Sequence, residues 1–214
     1  MAQPRIQDQH TADAIPSEAP GQSLGSFVWS IAEILRGDFK QSEYGKVILP
    51  FVVMRRLDCI LESSKKAVLE AAKSLPKGVD DATKDMILFG AAGSNLKVYN
   101  LSAFTFATLK GQDAGQLHAN LLDYVTKFSG NVRDIFLDKF LFTDQIKRLK
   151  DGGILWQVFE RFAQVDLHPD RVTNIQMGYL FEDLIRRAPE QWHLLQPNWP
   201  SDGSDSAAAP PRPS

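Results

Sequence analysis

Cysteine is almost missing from this sequence: Cys59 is the only one in 214 residues. A single thiol excludes an intramolecular disulfide and any zinc site built from several cysteines, and it fits a reducing cytoplasm. Long apolar runs are missing too. The longest, VILPFVVM at 47–54, has 8 residues, against the roughly 20 that a membrane-spanning helix needs. No membrane association is expected. The first residues, MAQPRIQDQHTADAIPSEAPGQ, contain no apolar stretch of the signal-peptide kind. No G-x-G occurs anywhere, so the chain lacks the usual glycine turn that brings backbone N–H groups against a cofactor. His10, His118, His168 and His193 are scattered without H-x₃-H spacing. No segment alternates convincingly with a period of two, and no internal repeat appears, which argues against a sheet protein or a solenoid.

Charge of one sign is also not in excess. The net charge is −2, and both ends are acidic, with −2 over residues 1–23 and −2 over 188–214. The body between them is therefore slightly basic. Dedicated nucleic-acid-binding domains are far more basic, so local contact with DNA is permitted but not demanded. The length suffices for one domain with a real core, and the balance of apolar and charged residues is that of a soluble globular chain.

What is present is helical periodicity. Leu24, Phe27, Val28, Ile31, Ile34 and Leu35 recur at spacings of three and four, and Gly37 reads as a stop. Ser42 is placed to cap the next helix, with Glu43 favourable at its positive end. That second helix contains Pro50, which costs ~3 kcal/mol in a regular helix, so a kink or restart is expected there. Short helices are expected at 83–89 and 102–110, with a loop between. Further apolar stripes run over 117–128, 132–136, from Thr143, over 154–162 and over 177–185. The sequence therefore predicts an all-α fold, a compact irregular helical bundle over residues 23–188. Residues 1–22 are polar, and 189–214 form a Pro/Ser/Ala-rich tail; neither holds enough apolar surface to fold alone, so both tails are expected to be disordered. Within the second tail, Trp192, Leu194, Leu195 and Trp199 stand out as residues able to dock on something.

Chemistry-bearing residues are sparse. Asp166, His168 and Asp170 suggest a metal or acid–base site, but the DLHPD context reads better as a loop leading into a helix, with aspartate as cap and proline near the first turn. Cys59 reads as a buried structural thiol. Asp134 and Asp138 read as one polar helix face. The basic candidates for contact with DNA or a partner are Lys46, Arg55, Arg56, Lys147, Arg148 and Lys150. Arg55 and Arg56 read as the outer face of the second helix, with Asp58 and Glu62 nearby, or as a phosphate or partner contact. Phosphate contacts would position DNA without reading its sequence.

The stretch FVWSIAEILRGDFKQSEYGKVILPFVVMRRLDCILE resembles the amino-terminal helical domain of the modification (M) subunit of type I restriction–modification systems. SAFTFATL, NVRDIFLDKFLFTDQIKRL, VFERFAQVDLHPDRV and NIQMGYLFEDLIRR follow in the same order. The resemblance runs from Leu24 to Arg187. It implies membership of an adenine-N6 DNA methyltransferase family that uses S-adenosylmethionine. It also implies partners: a specificity subunit, other M subunits, and DNA held within the complex. In that family a His-Phe-Thr-Pro stretch, a glycine-rich cofactor loop and an Asn-Pro-Pro-Phe/Tyr motif follow the last of these segments. None of the three occurs in this sequence, so no catalytic, cofactor-binding or metal residue is expected here, and the chain is expected to be inactive alone. The expected role is assembly and closure around DNA. The alternative is a free-standing helical adaptor that binds the specificity or M subunit and regulates methylation.

Overall fold

The central helix of the fold is surrounded on most sides. The computed structural model describes residues 20–93, 96–112 and 114–187. Helix α1 (Pro20–Leu35) ends at a turn in which Gly37 takes φ +107°, and the Phe39 N–H closes back on the Leu35 carbonyl at 3.1 Å. A side chain would be strained at that φ, so the glycine fits the stop. A 3₁₀ turn (Gln41–Glu43) then leads into α2 (Tyr44–Leu61). Ser42 is not the cap that the sequence suggests. It lies exposed within the turn, and Glu43 instead accepts the Lys40 N–H at 2.9 Å. The tight turn draws the capping role back by two residues.

Helix α2 does not restart at Pro50; it is one helix across the proline. Pro50 removes one helical hydrogen bond. That loss is outweighed by burial, because Val47, Ile48, Phe51, Val52 and Met54 are fully buried and α2 packs against α1, α8, α9 and α10. Around it lie α3 (Lys65–Lys73), α4 (Asp81–Ala92), α5 (Phe106–Lys110), α6 (Ala114–Thr126), α7 (Gly130–Asp134), a π-helical stretch (Ile135–Lys139), α8 (Phe142–Asp151), α9 (Leu155–Gln164) and α10 (Asn174–Arg187). Among the described residues there is no strand, and no helix is long and apolar enough to cross a membrane. The fold is all-α, as the periodicity predicts.

Aromatic rings fill the centre. Phe51 stacks on Phe162 at 5.1 Å and meets Phe142 edge-on at 5.1 Å, while Phe106 lies against Phe159 at 4.9 Å. Such pairs add to the area they bury. The hairpin of α3 and α4 has its own small core of Val68, Leu88, Ala92 and Tyr99. Sequence reading is shortest here: it passes over α3 and begins α4 at Thr83. Asp80 caps α4 by accepting the Thr83 N–H at 2.9 Å, and the helix runs past Gly90 to Ala92 before Gly93 ends it at φ +62°. The helix expected at 102–110 is confined to α5, because residues before it are held by side-chain bonds: Ser102 Oγ donates to Asp123 at 2.6 Å, and Thr105 caps Thr108.

Candidate partner and DNA interface

The basic candidates divide into an inward group and an outward group. Arg55 and Arg56 point inward, which corrects the outer-face reading. Arg55 donates through Nε to the Val165 carbonyl at 2.9 Å and through its guanidinium to Asp58 at 2.9 Å, and it lies over the Phe106 ring at 5.5 Å. Arg56 is only 8% exposed. Its guanidinium donates to the carbonyls of Leu167 and Val172, the second at 2.6 Å, and to Asn174 Oδ1 at 2.9 Å. The twin arginines therefore clasp the α9–α10 connection from one turn of α2. Arg56 has a lowered pKa, from burial first. A guanidinium stays charged through such a shift, which makes arginine the suitable cation for a buried site lined by carbonyls.

The remaining candidates sit outward. Lys147, Arg148 and Lys150 lie on α8, and Lys46 is exposed on the first turn of α2. Lys147 pairs with Asp151 at 3.0 Å one turn on and is 68% exposed. Such a pair is worth a few tenths of a kcal/mol and yields easily to a phosphate. Lys150 is exposed, and His118 of α6 lies near both lysines. Burial first, and then the Lys150 charge, lowers the His118 pKa. Arg148 is committed to the fold. It forms a fork on Glu43 at 2.8 and 3.1 Å, donates to the Asp38 carbonyl at 2.9 Å and stacks on Phe39 at 4.1 Å. This staple ties α8 to the α1–α2 turn. The structure thus brings Lys147 and Lys150 together at i and i+3, holds Arg148 beside them in an ion pair, and removes Arg55 and Arg56 from the surface.

The Arg148 fork, followed by the Lys40 N–H, lowers the pKa of Glu43 to about 2. A depressed carboxylate pKa contributes stability that is present above the ordinary value and is lost as pH falls through the folded value. Glu43→Gln is expected to cost about 1 kcal/mol at pH 7, after allowance for solvent screening. The difference from the parent should shrink between about pH 4.5 and 2. Urea unfolding at a series of pH values reads it; a pH-independent difference would show that the fork contributes nothing electrostatic.

A buried polar network that sequence reading does not anticipate lies behind the clasp. Asp58 is 7% exposed and accepts the Tyr124 hydroxyl at 2.9 Å, the Phe106 N–H at 3.2 Å and Arg55 at 2.9 Å. Burial is the largest influence on Asp58 and raises its pKa. Lys65 reaches Asn100 Oδ1 at 2.9 Å and lies over the Tyr124 ring at 5.5 Å. Its pKa is lowered to about 8, mainly by burial. Asn100 in turn donates to the Tyr124 carbonyl at 2.8 Å. These groups satisfy one another and join α2, α3, α5 and α6. Their arrangement serves to hold helices.

Asp166, His168 and Asp170 form a turn. Asp166 accepts the His168 N–H at 2.9 Å, and the His168 carbonyl accepts the N–H groups of Arg171 and Val172 at 2.9 Å. The helix cap comes later than the sequence suggests. Thr173 and Gln176 form a reciprocal box, with the Thr173 N–H on Gln176 Oε1 at 2.9 Å and the Gln176 N–H on Thr173 Oγ1 at 3.3 Å. Among the described residues no group of three or more His, Cys, Asp or Glu is placed to hold a metal ion. Cys59 is a buried free thiol whose pKa is pushed up by burial.

The sequence profile of the HsdM N-terminal domain matches residues 24–162, more than half of the chain. The chain belongs to that family. HsdM is the modification subunit of type I restriction–modification systems. The HsdM N-terminal domain match begins in α1 and ends in α9, so it includes both arginines of the clasp and the Asp58 network. Residues 165–174, which the clasp holds, and α10 lie beyond it. No curated protein and no solved structure matches the chain. Trp192, Leu194, Leu195, Trp199 and both predicted tails lie outside the described residues, apart from the first residues of α1.

Proposed function

We propose that the chain is a non-catalytic helical assembly module of a type I modification subunit. It packs beside an adenine-N6 methyltransferase domain that carries S-adenosylmethionine, engages the specificity subunit or another M subunit, and borders DNA inside the complex. The family match over 24–162 is the observation that carries this reading. The geometry supports an assembly role through the arginine clasp, which fixes the direction in which α10 leaves the body. It supports a DNA border through Lys147 and Lys150, exposed side by side on α8, with Lys46 exposed on α2.

The test is reconstitution with a type I specificity subunit and a catalytic M fragment. The chain is expected to enter the complex, to bind no S-adenosylmethionine alone and to raise methylation when the catalytic fragment is present. Entry accompanied by inhibition of methylation would favour the adaptor reading, and failure to bind either subunit would sink both. In the assembled complex, Lys147→Ala with Lys150→Ala is expected to weaken DNA binding. The slope of log affinity against log salt should flatten by about 2, since each phosphate contact contributes about 0.9. An unchanged slope removes the two lysines from the DNA border.

A further inference from the structure

Helices α1, α2 and α10 do not close completely on one another. They leave an apolar groove walled by Val28, Trp29 and Ala32 of α1, Tyr44 and Ile48 of α2, and Leu184 of α10. It encloses about 450 Å³, part of it open to solvent, and Trp29 is 51% exposed at its rim. A large aromatic left half in water beside an apolar hollow is the kind of surface that takes an apolar side chain. Gln41 stands at the edge as a polar partner for an indole or amide N–H.

We infer that this groove is the docking site for residues 192–199 of the same chain. Leu184, one wall of the groove, lies in the last turn of α10, and α10 ends at Arg187. Only residues 188–191 separate that end from Trp192. Four residues span at most about 14 Å at ~3.3–3.6 Å each, and Leu184 is about 5 Å back along the helix. The segment therefore meets this groove before any more distant surface. Its composition fits: Trp192, Leu194, Leu195 and Trp199 are four large apolar residues within eight positions, while the residues after them are mostly Ser, Asp, Ala and Pro. The tether decides between occupants. A linker this short gives an effective concentration on the order of millimolar, so a modest intrinsic affinity fills the groove and a dilute partner must compete. The docked segment would cover the α1–α10 face, and a subunit using that face would have to displace it.

The test places a nitroxide on Ser204→Cys in the full chain, with the buried Cys59 exchanged for alanine, and reads methyl NMR intensities. Val28, Ala32, Ile48 and Leu184 are expected to lose most of their intensity, independently of protein concentration, while Val68 and Leu88 of the α3–α4 hairpin keep theirs. Changing Trp192, Leu195 and Trp199 together to serine is expected to restore the lost signals without altering the helical spectrum. Retained intensity in the labelled parent would overturn the inference, as would loss that persists in the serine variant. A mixed sample of isotope-labelled and nitroxide-labelled chains separates the rival occupant: broadening there would assign the groove to a second copy and would equally overturn the intramolecular reading.

Discussion

Arg56→Ala is expected to lower the unfolding free energy by about 3 kcal/mol, a large share of the roughly 5–15 kcal/mol of an ordinary domain. The reason is the asymmetry of buried hydrogen bonds. Arg56 holds the carbonyls of Leu167 and Val172 and the side chain of Asn174 from a position that is 8% exposed. Taking the cation away leaves three acceptors to find water in a packed site. The loss should also be local. Amide hydrogen exchange in α10 is expected to accelerate more than in α3 or α4, because the α9–α10 connection is what the clasp fixes. Arg56→Lys cannot rescue it fully, since a compact ammonium replaces a planar fork that reaches three separated acceptors. Arg55→Ala is a useful contrast. It frees one carbonyl and unpairs Asp58, so its exchange signature should appear at α5 as well. Uniform acceleration over all helices in Arg56→Ala would show that the clasp does not act on α10 in particular.

That clasp marks how far the sequence could be read. The stripes of α1, α6, α9 and α10 follow directly from 3.6-residue periodicity, because each of those helices has one wet face. Helix α2 does not. Val47, Ile48, Phe51, Val52, Met54 and Leu61 go most of the way round it, and all are buried. Apolar residues on every face signal a central helix, and in such a helix the charged residues have to be satisfied inside. The arginine pair and Asp58 carry that signal, yet adjacent arginines are usually exposed and read as surface. Their partners lie far away in sequence: Val165, Leu167 and Val172 for the arginines, Phe106 and Tyr124 for Asp58. No local pattern encodes those pairings. The helix through Pro50 fails for the same reason, since propensity sees the lost hydrogen bond and not the neighbours that hold the turn in place. Among the basic candidates, Lys147 and Lys150 were legible as surface because α8 has a strongly one-sided stripe of Phe142, Ile146 and Leu149.

Asp58→Ala is expected to be the most damaging single substitution, costing about 3–5 kcal/mol. It strands three donors at once: the Arg55 guanidinium, the fully buried Tyr124 hydroxyl and the Phe106 N–H that begins α5. Asp58→Asn separates the acceptor role from the charge. The amide oxygen can still take the Phe106 N–H, so a smaller loss of about 1–2 kcal/mol is expected. The sign of its pH dependence follows from burial, which is the largest influence on Asp58 and raises its pKa above 3.8. A raised carboxylate pKa contributes stability that is fully present below the unfolded value and is lost as pH rises through the folded value. The parent therefore gives up part of its advantage over Asp58→Asn between acid and neutral pH, and the deficit of the variant should be smaller at pH 7 than at pH 3. Chemical denaturation of both proteins at the two pH values measures it. A deficit that grows toward neutral pH would mean that Arg55 outweighs desolvation, and that the centre of this domain is held by an ion pair rather than by a buried acceptor that the helices converge on.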